Sequence, residues 1–170
     1  MLRALDVSDL PAVLLLNDAA YPAVPISSVG ELAELLAFDG FSFAVTDDAD
    51  DRLIAFLIGL RPGAAYASEN YRYFEARGSD YLYVDRIVVA EAARGRRVGQ
   101  ALYEAVIDLA RVEGRTEVDC EVNLDPPNPG SLAFHARLGF ERVGEQPTKG
   151  GSVTVALLVK RVERVEASST

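Results

Sequence analysis

The chain has 170 residues, 49% of them apolar, a formal net charge of −9, one cysteine and one histidine. That is enough chain and enough apolar residues for one domain with its own core, while the lone Cys120 and lone His135 exclude an intrachain disulfide and a His/Cys zinc site. The acidic balance excludes a general nucleic-acid binder, which needs a basic face for the phosphates.

The first residues hold Arg3, Asp6 and Asp9 with no signal-type apolar run behind them, and Ala12–Leu16 is too short to cross a bilayer. A cytoplasmic location without membrane attachment is therefore expected. Leu2–Asp6 reads as a strand. Ser8 or Asp9 is placed to cap a helix reaching Ala20, with Pro11 in its first turn. Tyr21–Pro25 is a stiff loop. Ser28 caps a second helix, with Glu31 closing a capping box and Leu32, Leu35 and Leu36 as its apolar stripe. Phe41–Thr46 and Leu53–Leu60 have strand length, with a turn at Asp47–Asp51 between them.

The connection Arg61–Asp80 is long for a compact domain, which favours a functional role. Ser68, Glu69, Arg77 and Gly78 mark a short helix inside it. Tyr81–Val89 alternates as a strand, with Tyr83, Asp85, Ile87 and Val89 expected on one face and Leu82, Val84, Arg86 and Val88 on the other. A strong helix follows, with Val98, Ala101, Leu102, Ala105, Leu109 and Val112 at helical spacing and Gly114 as its stop. Thr116–Val122 is a strand and Asp125–Gly130 a turn. Ser131–Leu138 is a helix in which Phe134 and Leu138 share a core face, and Phe140–Gly144 and Val153–Lys160 are closing strands. One domain over 1–162 is expected, followed by a polar, frayed tail that begins near Arg161 and is bounded at 163–170. The order is α/β without the regular alternation of a doubly wound sheet.

The chemistry concentrates where the strand ending at Val89 meets the helix starting at Val98. A helix N-terminus carries unpaired N–H groups and partial positive charge. Arg94, Arg96 and Arg97 gather there, and Gly95 and Gly99 allow a backbone to approach a ligand closely. These features describe a diphosphate cradle; the competing reading is solvated arginines on an ordinary turn. No Gly-x-Gly-x-x-Gly follows a strand, no Gly-Lys-Ser/Thr occurs and no Gly-x-Ser-x-Gly elbow is present. The Asp47/Asp48 pair lies in a turn and is most simply solvated.

The stretch Ile87–Leu102 resembles the coenzyme A motif of the GNAT acyltransferase superfamily, Gln/Arg-x-x-Gly-x-Gly/Ala at a helix start. Arg94 and Gly99 match it, and Arg97 replaces its first glycine. The segment Asn128–Phe140 is similar to the superfamily's Asn-x-x-Ser/Ala-x-x-Phe/Leu-Tyr-x-x-x-Gly-Phe block, with His135 in place of the tyrosine. The two blocks stand in the right order, and the element order from Leu2 to Lys160 also fits.

The resemblance implies a GNAT fold of the α+β type: a central, mostly antiparallel twisted sheet flanked by helices, with two splayed parallel strands forming the acyl-CoA groove. It implies acetyl-CoA as co-substrate, no metal, and acetyl transfer to a primary amine of a small molecule or peptide. Ile87, Val88 and Val89 pair with the pantetheine arm, and the Val89 N–H meets the charge that gathers on the thioester oxygen. The N–H groups from Arg94 through Gly95, Arg96, Arg97, Val98 and Gly99 to Gln100 hold the diphosphate. The Arg97 N–H is available in this scheme at negative φ, and its side chain faces a phosphate. Asp85 is the candidate proton acceptor, against a reading as a salt-bridge partner. His135 is either proton donor to the leaving thiolate or a packing contact. Asn128 touches the coenzyme, and Ser131 caps its helix and touches it too. Tyr21, in the family's usual substrate wall, joins Tyr66, Tyr71 and Tyr83 as expected acceptor contacts. The 61–80 segment either covers the amine pocket or forms a homodimer contact or outer helix. A non-catalytic acyl-CoA-binding module and a partner-binding protein stand as the alternatives to an enzyme.

Overall fold

In the computed structural model, which describes residues 1–78 and 80–163, the strands are β1 (Leu2–Ala4), β2 (Gly40–Thr46), β3 (Leu53–Leu60), β4 (Tyr81–Val89), β5 (Glu117–Asp125), β6 (Glu141–Thr148) and β7 (Val153–Arg161). The helices are α1 (Leu10–Ala19), α2 (Val29–Ala37), α3 (Glu69–Arg77), α4 (Val98–Val112) and α5 (Pro129–Arg137). The strands form one sheet in the order β1-β2-β3-β4-β5-β7-β6. Every neighbouring pair is antiparallel except β4 and β5.

Local chemistry explains most boundaries. Ser28 Oγ accepts from the Glu31 N–H while Glu31 Oε2 accepts from the Ser28 N–H at 2.7 Å, so α2 starts with two otherwise orphaned donors satisfied. Ser68 caps α3 in the same way, with Glu69 in the first turn and Arg77 in the last. The start of α1 differs from expectation. Asp9 holds the N-cap position of α1 but makes no side-chain cap bond to it, and a single 3-10 turn over Val7–Asp9, capped by Asp6, precedes the helix. Asp9 turns back to accept from the Asp6 N–H and takes both Arg3 nitrogens at 2.7 and 2.8 Å.

Two apolar layers sandwich the sheet. On one face α4 and α5 cover Leu82, Val84, Val118 and Cys120. On the other α1, α2 and α3 cover Phe56, Ile58, Tyr83 and Leu157. The buried line of α4 is Val98, Leu102, Val106 and Ala110, with Tyr103 beside it. Val112, expected in the stripe, is 85% exposed because the buried face of α4 is centred on Leu102, Val106 and Ala110, and Val112 lies two residues, about 200° of helix turn, beyond Ala110. The C-terminal strand holds longer than expected: Arg161 pairs with Glu117, and Val162 is buried with its N–H on Thr116 O. The expected tail from 164 on lies outside the described residues. Among the described residues no helix is long and apolar enough to cross a membrane.

Two irregularities shape the centre of the sheet. First, β4 and β5 pair only over Tyr81–Val84 and Glu117–Cys120; beyond that point both strands continue and diverge. Second, Ile58 faces Arg86 while Gly59 faces Val84, so Asp85 is an extra residue in β4, a bulge. The side chain at position 59 has no room, since a Cβ there would lie 2.6 Å from Tyr83 O. The bulge inverts the alternation. Tyr81 and Tyr83 lie under α1–α3 with Val88, whereas Ile87 and Val89 pack with Leu82 and Val84 on the α4 side. The expected shared face of Tyr83, Asp85, Ile87 and Val89 is thus broken at Asp85 (a period-2 reading survives only while the ladder has no inserted residue).

Candidate active site

The head of α4 is rich in unused donors. A 3-10 turn over Glu91–Ala93 precedes it, and the Arg94 N–H bonds Glu91 O while that of Arg96 reaches Ala93 O at 3.4 Å. The helix ladder opens with the Ala101 N–H on Arg97 O at 3.0 Å. The N–H groups of Gly95, Arg97, Val98, Gly99 and Gln100 have no protein acceptor among the described residues. Gly95 and Arg97 both take left-handed backbone, φ 78° and 60°, which turns the chain around this concavity. Arg97 therefore adopts a left-handed conformation that favours glycine, not the negative φ set as the condition for offering its N–H, at a cost of about 1 kcal/mol, and its N–H is nonetheless unpaired among the described residues. The side chains divide. Arg96 Nη1 binds Asp47 Oδ2 at 2.8 Å and is committed to the β2–β3 turn, whereas Arg94 and Arg97 are exposed with no ion pair among the described residues. Gly99 serves packing: a Cβ there would lie 3.1 Å from Phe134 Cζ, so the absent side chain seats α5 on α4.

Alongside this head runs the free edge of β4. The Ala90 N–H donates to Ile54 O at 2.8 Å, which fixes the phase of the antiparallel ladder. Val88, opposite Phe56, turns its N–H and C=O to β3; Ile87 and Val89 turn theirs to the side that β5 vacates. Of the three residues expected to meet the pantetheine arm, two keep free backbone groups and Val88 does not.

Between the diverging strands lies a cavity of about 930 Å³. Its walls come from β4 and β5, the Tyr21–Pro25 loop, the Tyr66–Asn70 segment, the turn between β6 and β7, and α5. Glu121 of β5 stands in this wall, and the sequence reading passed over it. Tyr83 Oη lies 2.9 and 2.8 Å from its two oxygens. Burial pushes the Glu121 carboxyl up to about 8; the Asp85 charge adds to the shift and the Tyr83 hydroxyl opposes it. Asp85 also lines the cavity but is engaged on both oxygens, accepting from Tyr66 Oη at 2.7 Å and from Arg86 Nε at 3.0 Å. Of the two roles weighed for Asp85, the ion pair is formed.

The expected acceptor tyrosines separate. Tyr21 and Tyr66 line the cavity. Tyr71 does not: it is 1% exposed, and its hydroxyl donates to Arg61 O and accepts from the Ala64 N–H, bracing the connection. Tyr83 is fully buried and reaches the site only through Glu121.

His135 is buried too. Nδ1 lies 2.8 Å from Ser131 O, a pure acceptor, so Nδ1 carries the hydrogen and Nε2 is left as an acceptor for Tyr103 Oη at 2.7 Å. Desolvation holds its pKa below the usual histidine value, which keeps the ring neutral. The ring therefore has no proton to offer a thiolate in this arrangement. It orients the Tyr103 hydroxyl, which α4 brings to the cavity floor. Asn128, not Ser131, caps α5, with Oδ1 accepting from the Ser131 N–H at 3.3 Å.

Residues 11–140 match the Acetyltransferase (GNAT) family. The chain belongs to the GNAT acetyltransferase family. Its sequence is 28% identical over 159 residues to the L-methionine sulfoximine/L-methionine sulfone acetyltransferase of Pseudomonas aeruginosa, covering 88% of this chain and 84% of that protein. It is 30% identical over 105 residues to the L-2,4-diaminobutyric acid acetyltransferase of Nocardia farcinica, covering 62% of this chain and 46% of that one. Among solved structures, the ribosomal-protein-S18-alanine N-acetyltransferase of Escherichia coli superposes with a TM-score of 0.73 at 19% identity, over 100% of this chain and 98% of that one, which shows the shared GNAT fold. The fit of this GNAT chain to coenzyme A rests on its own atoms: donors without acceptors at the head of α4, two exposed arginines beside them, and a free strand edge leading into the cavity.

Proposed function

We propose that this GNAT protein acetylates the primary amine of a small molecule, with acetyl-CoA as donor and Glu121 as the group that takes the amine's proton. The observation that carries this is the divergence of β4 from β5, which leaves the backbone of Ile87 and Val89 free and opens a cavity walled by a carboxyl with a raised pKa, while unpaired N–H groups stand at the head of α4. Acetyl-CoA supplies an activated acetyl group as a thioester. The N–H groups of Gly95 and Arg97–Gln100, with the Arg94 and Arg97 side chains, hold the diphosphate. Ile87 and Val89 give backbone partners to the arm, and the Val89 N–H is the donor for charge that gathers on the thioester oxygen.

An ammonium cannot attack, so the acceptor must lose a proton first. Glu121 suits that task better than Asp85, because its pKa lies near working pH and its carboxyl, hydrogen-bonded by Tyr83 and Asn70, is in no ion pair among the described residues. Asp85 holds Tyr66 and Arg86 in place instead. At the other end of the reaction Tyr103 stands in the cavity wall with its hydroxyl hydrogen committed to His135 Nε2, so neither residue is cast as acid in this arrangement. A thiol with a pKa of about 8.5 leaves without strong acid assistance. That the curated relatives act on amino acids supports a small acceptor.

The test is release of free thiol from acetyl-CoA against a panel of amines, run with wild type and Glu121→Gln. Turnover by wild type and its loss in the variant is the expected result. Full activity in the variant removes Glu121 from the mechanism.

A further inference from the structure

The bulge at Asp85 turns two successive side chains, Asp85 and Arg86, toward the same layer, and both line the cavity at its acceptor end. Arg86 is held from two directions. Nε donates to Asp85 Oδ2 at 3.0 Å, and Nη1 donates to Asn17 Oδ1 at 3.0 Å. Asn17 is fully buried at the end of α1 and is itself fixed, with Nδ2 donating to Pro25 O at 2.9 Å and Asp18 Oδ1 at 3.0 Å. The guanidinium therefore cannot swing away. Its Nη2 has no protein acceptor among the described residues, and it is not sealed from solvent. A rigid arginine with an unused donor edge on a cavity wall is a carboxylate reader.

We propose that this edge of Arg86 binds the carboxylate of the acceptor, so that the acceptor class is free amino acids. The inference rests on the acyltransfer reading above and adds its specificity. Charge supports it. Asp85 already balances Arg86, so a simple ammonium ion gains nothing from the guanidinium. A zwitterion brings a carboxylate to Arg86 and an amine toward Glu121 without changing the net charge of the cavity. Enclosure supports it too. Asn123 Nδ2 donates to Pro22 O at 3.0 Å and ties the Tyr21–Pro25 loop to β5. The Lys149 N–H donates to Glu69 Oε2, and Gln146 Nε2 to Asn70 Oδ1, both at 3.1 Å, tying the end of β6 and the turn after it to α3. These ties draw the walls together around a compact acceptor rather than leaving a trough for an extended peptide.

The experiment compares kcat/KM for a panel of amino acids with that for their carboxamides and their decarboxylated amines, in wild type, Arg86→Gln and Arg86→Lys. A charge-assisted hydrogen bond of ordinary strength corresponds to a preference of about tenfold to a hundredfold for the acid. The expected result is that preference in wild type, its collapse in R86Q whatever the variant's absolute rate, and partial recovery in R86K. Equal rates for acid and carboxamide in wild type overturn the inference, as does an unchanged ratio in R86Q. Should R86Q fail to fold, the wild-type ratio and R86K still decide. If amines are acetylated without regard to the carboxylate, only this inference falls; if no member of the panel releases thiol, the acyltransfer reading falls and takes the inference with it.

Discussion

Tyr103 Oη lies 2.7 Å from His135 Nε2, and both groups are buried, at 1% and 2% exposure. The hydroxyl therefore donates to a ring whose other nitrogen is bound to Ser131 O. Tyr103→Phe leaves the Nε2 lone pair without a donor in a desolvated site, so it destabilises the fold by about 1–3 kcal/mol, read by urea denaturation. The depressed His135 pKa adds a pH signature. The folded state resists protonation of this ring, so stability falls as pH drops below the unfolded value of about 6.5. His135→Gln should flatten that acid limb; an unaltered limb places the proton elsewhere.

In the proposed mechanism Glu121 sets the pH dependence of the reaction. Its carboxyl, held up to about 8, must be ionised to accept a proton, so kcat/KM climbs with pH and levels off above that value. Glu121→Gln removes the acceptor and lowers kcat by about 10²–10⁴-fold. Tyr83→Phe acts in the opposite register. The Tyr83 hydroxyl favours the ionised carboxylate, so deleting it moves the inflection to higher pH. A profile that keeps its inflection in Y83F uncouples the two residues.

The parts of this site legible in the sequence are those that depend on neighbours along the chain. The α4 head is one local turn, and its arginines and glycines report it directly. Glu121 was hidden because Glu117, Asp119 and Glu121 alternate with Val118, Cys120 and Val122, which reads as the solvent face of a strand. Nothing in that pattern reveals that the 61–80 connection lays α3 across the carboxylate side. The bulge at Asp85 was hidden for a related reason: an inserted residue is a property of two paired strands, and β3 contributes Gly59 to it from 26 positions earlier in the chain. Tyr103 was masked by its helix, where a tyrosine among Leu102 and Val106 fits an apolar stripe and shows nothing of a hydroxyl contact with α5.

Arg97 tests the cost of the motif's departure from glycine. At φ 60° a side chain is strained, and Arg97 is exposed, so Arg97→Gly should stabilise the protein by about 1 kcal/mol. The same change removes one of the two arginines without an ion pair among the described residues at the proposed diphosphate site. KM for acetyl-CoA should therefore rise, and the difference from wild type should shrink in high salt. A variant with higher stability and an unchanged KM would mean that the backbone donors alone hold the diphosphate.

Asp119 is the least comfortable residue in the fold. It is 1% exposed beneath the α3 layer, its Oδ1 has no hydrogen-bond partner among the described residues, and burial, with Glu117 adding and Arg77 opposing, pushes its carboxyl up to about 8. The sign follows from linkage. The folded state holds this proton far more tightly than an unfolded aspartate with a pKa of about 3.9, so the folded protein is favoured at low pH. That advantage drains away as pH rises from about 4 to about 8, and above that window the fold carries a buried charge. Asp119→Asn keeps the shape and cannot ionise. It should differ little from wild type near pH 5 and exceed it by about 1–3 kcal/mol near pH 9, measured by urea denaturation at both values. Glu121 titrates in the same range, so the decisive quantity is the difference between variant and wild type rather than either slope. A constant difference across the range means that Asp119 keeps one protonation state throughout, and the buried-charge account of this strand is then wrong.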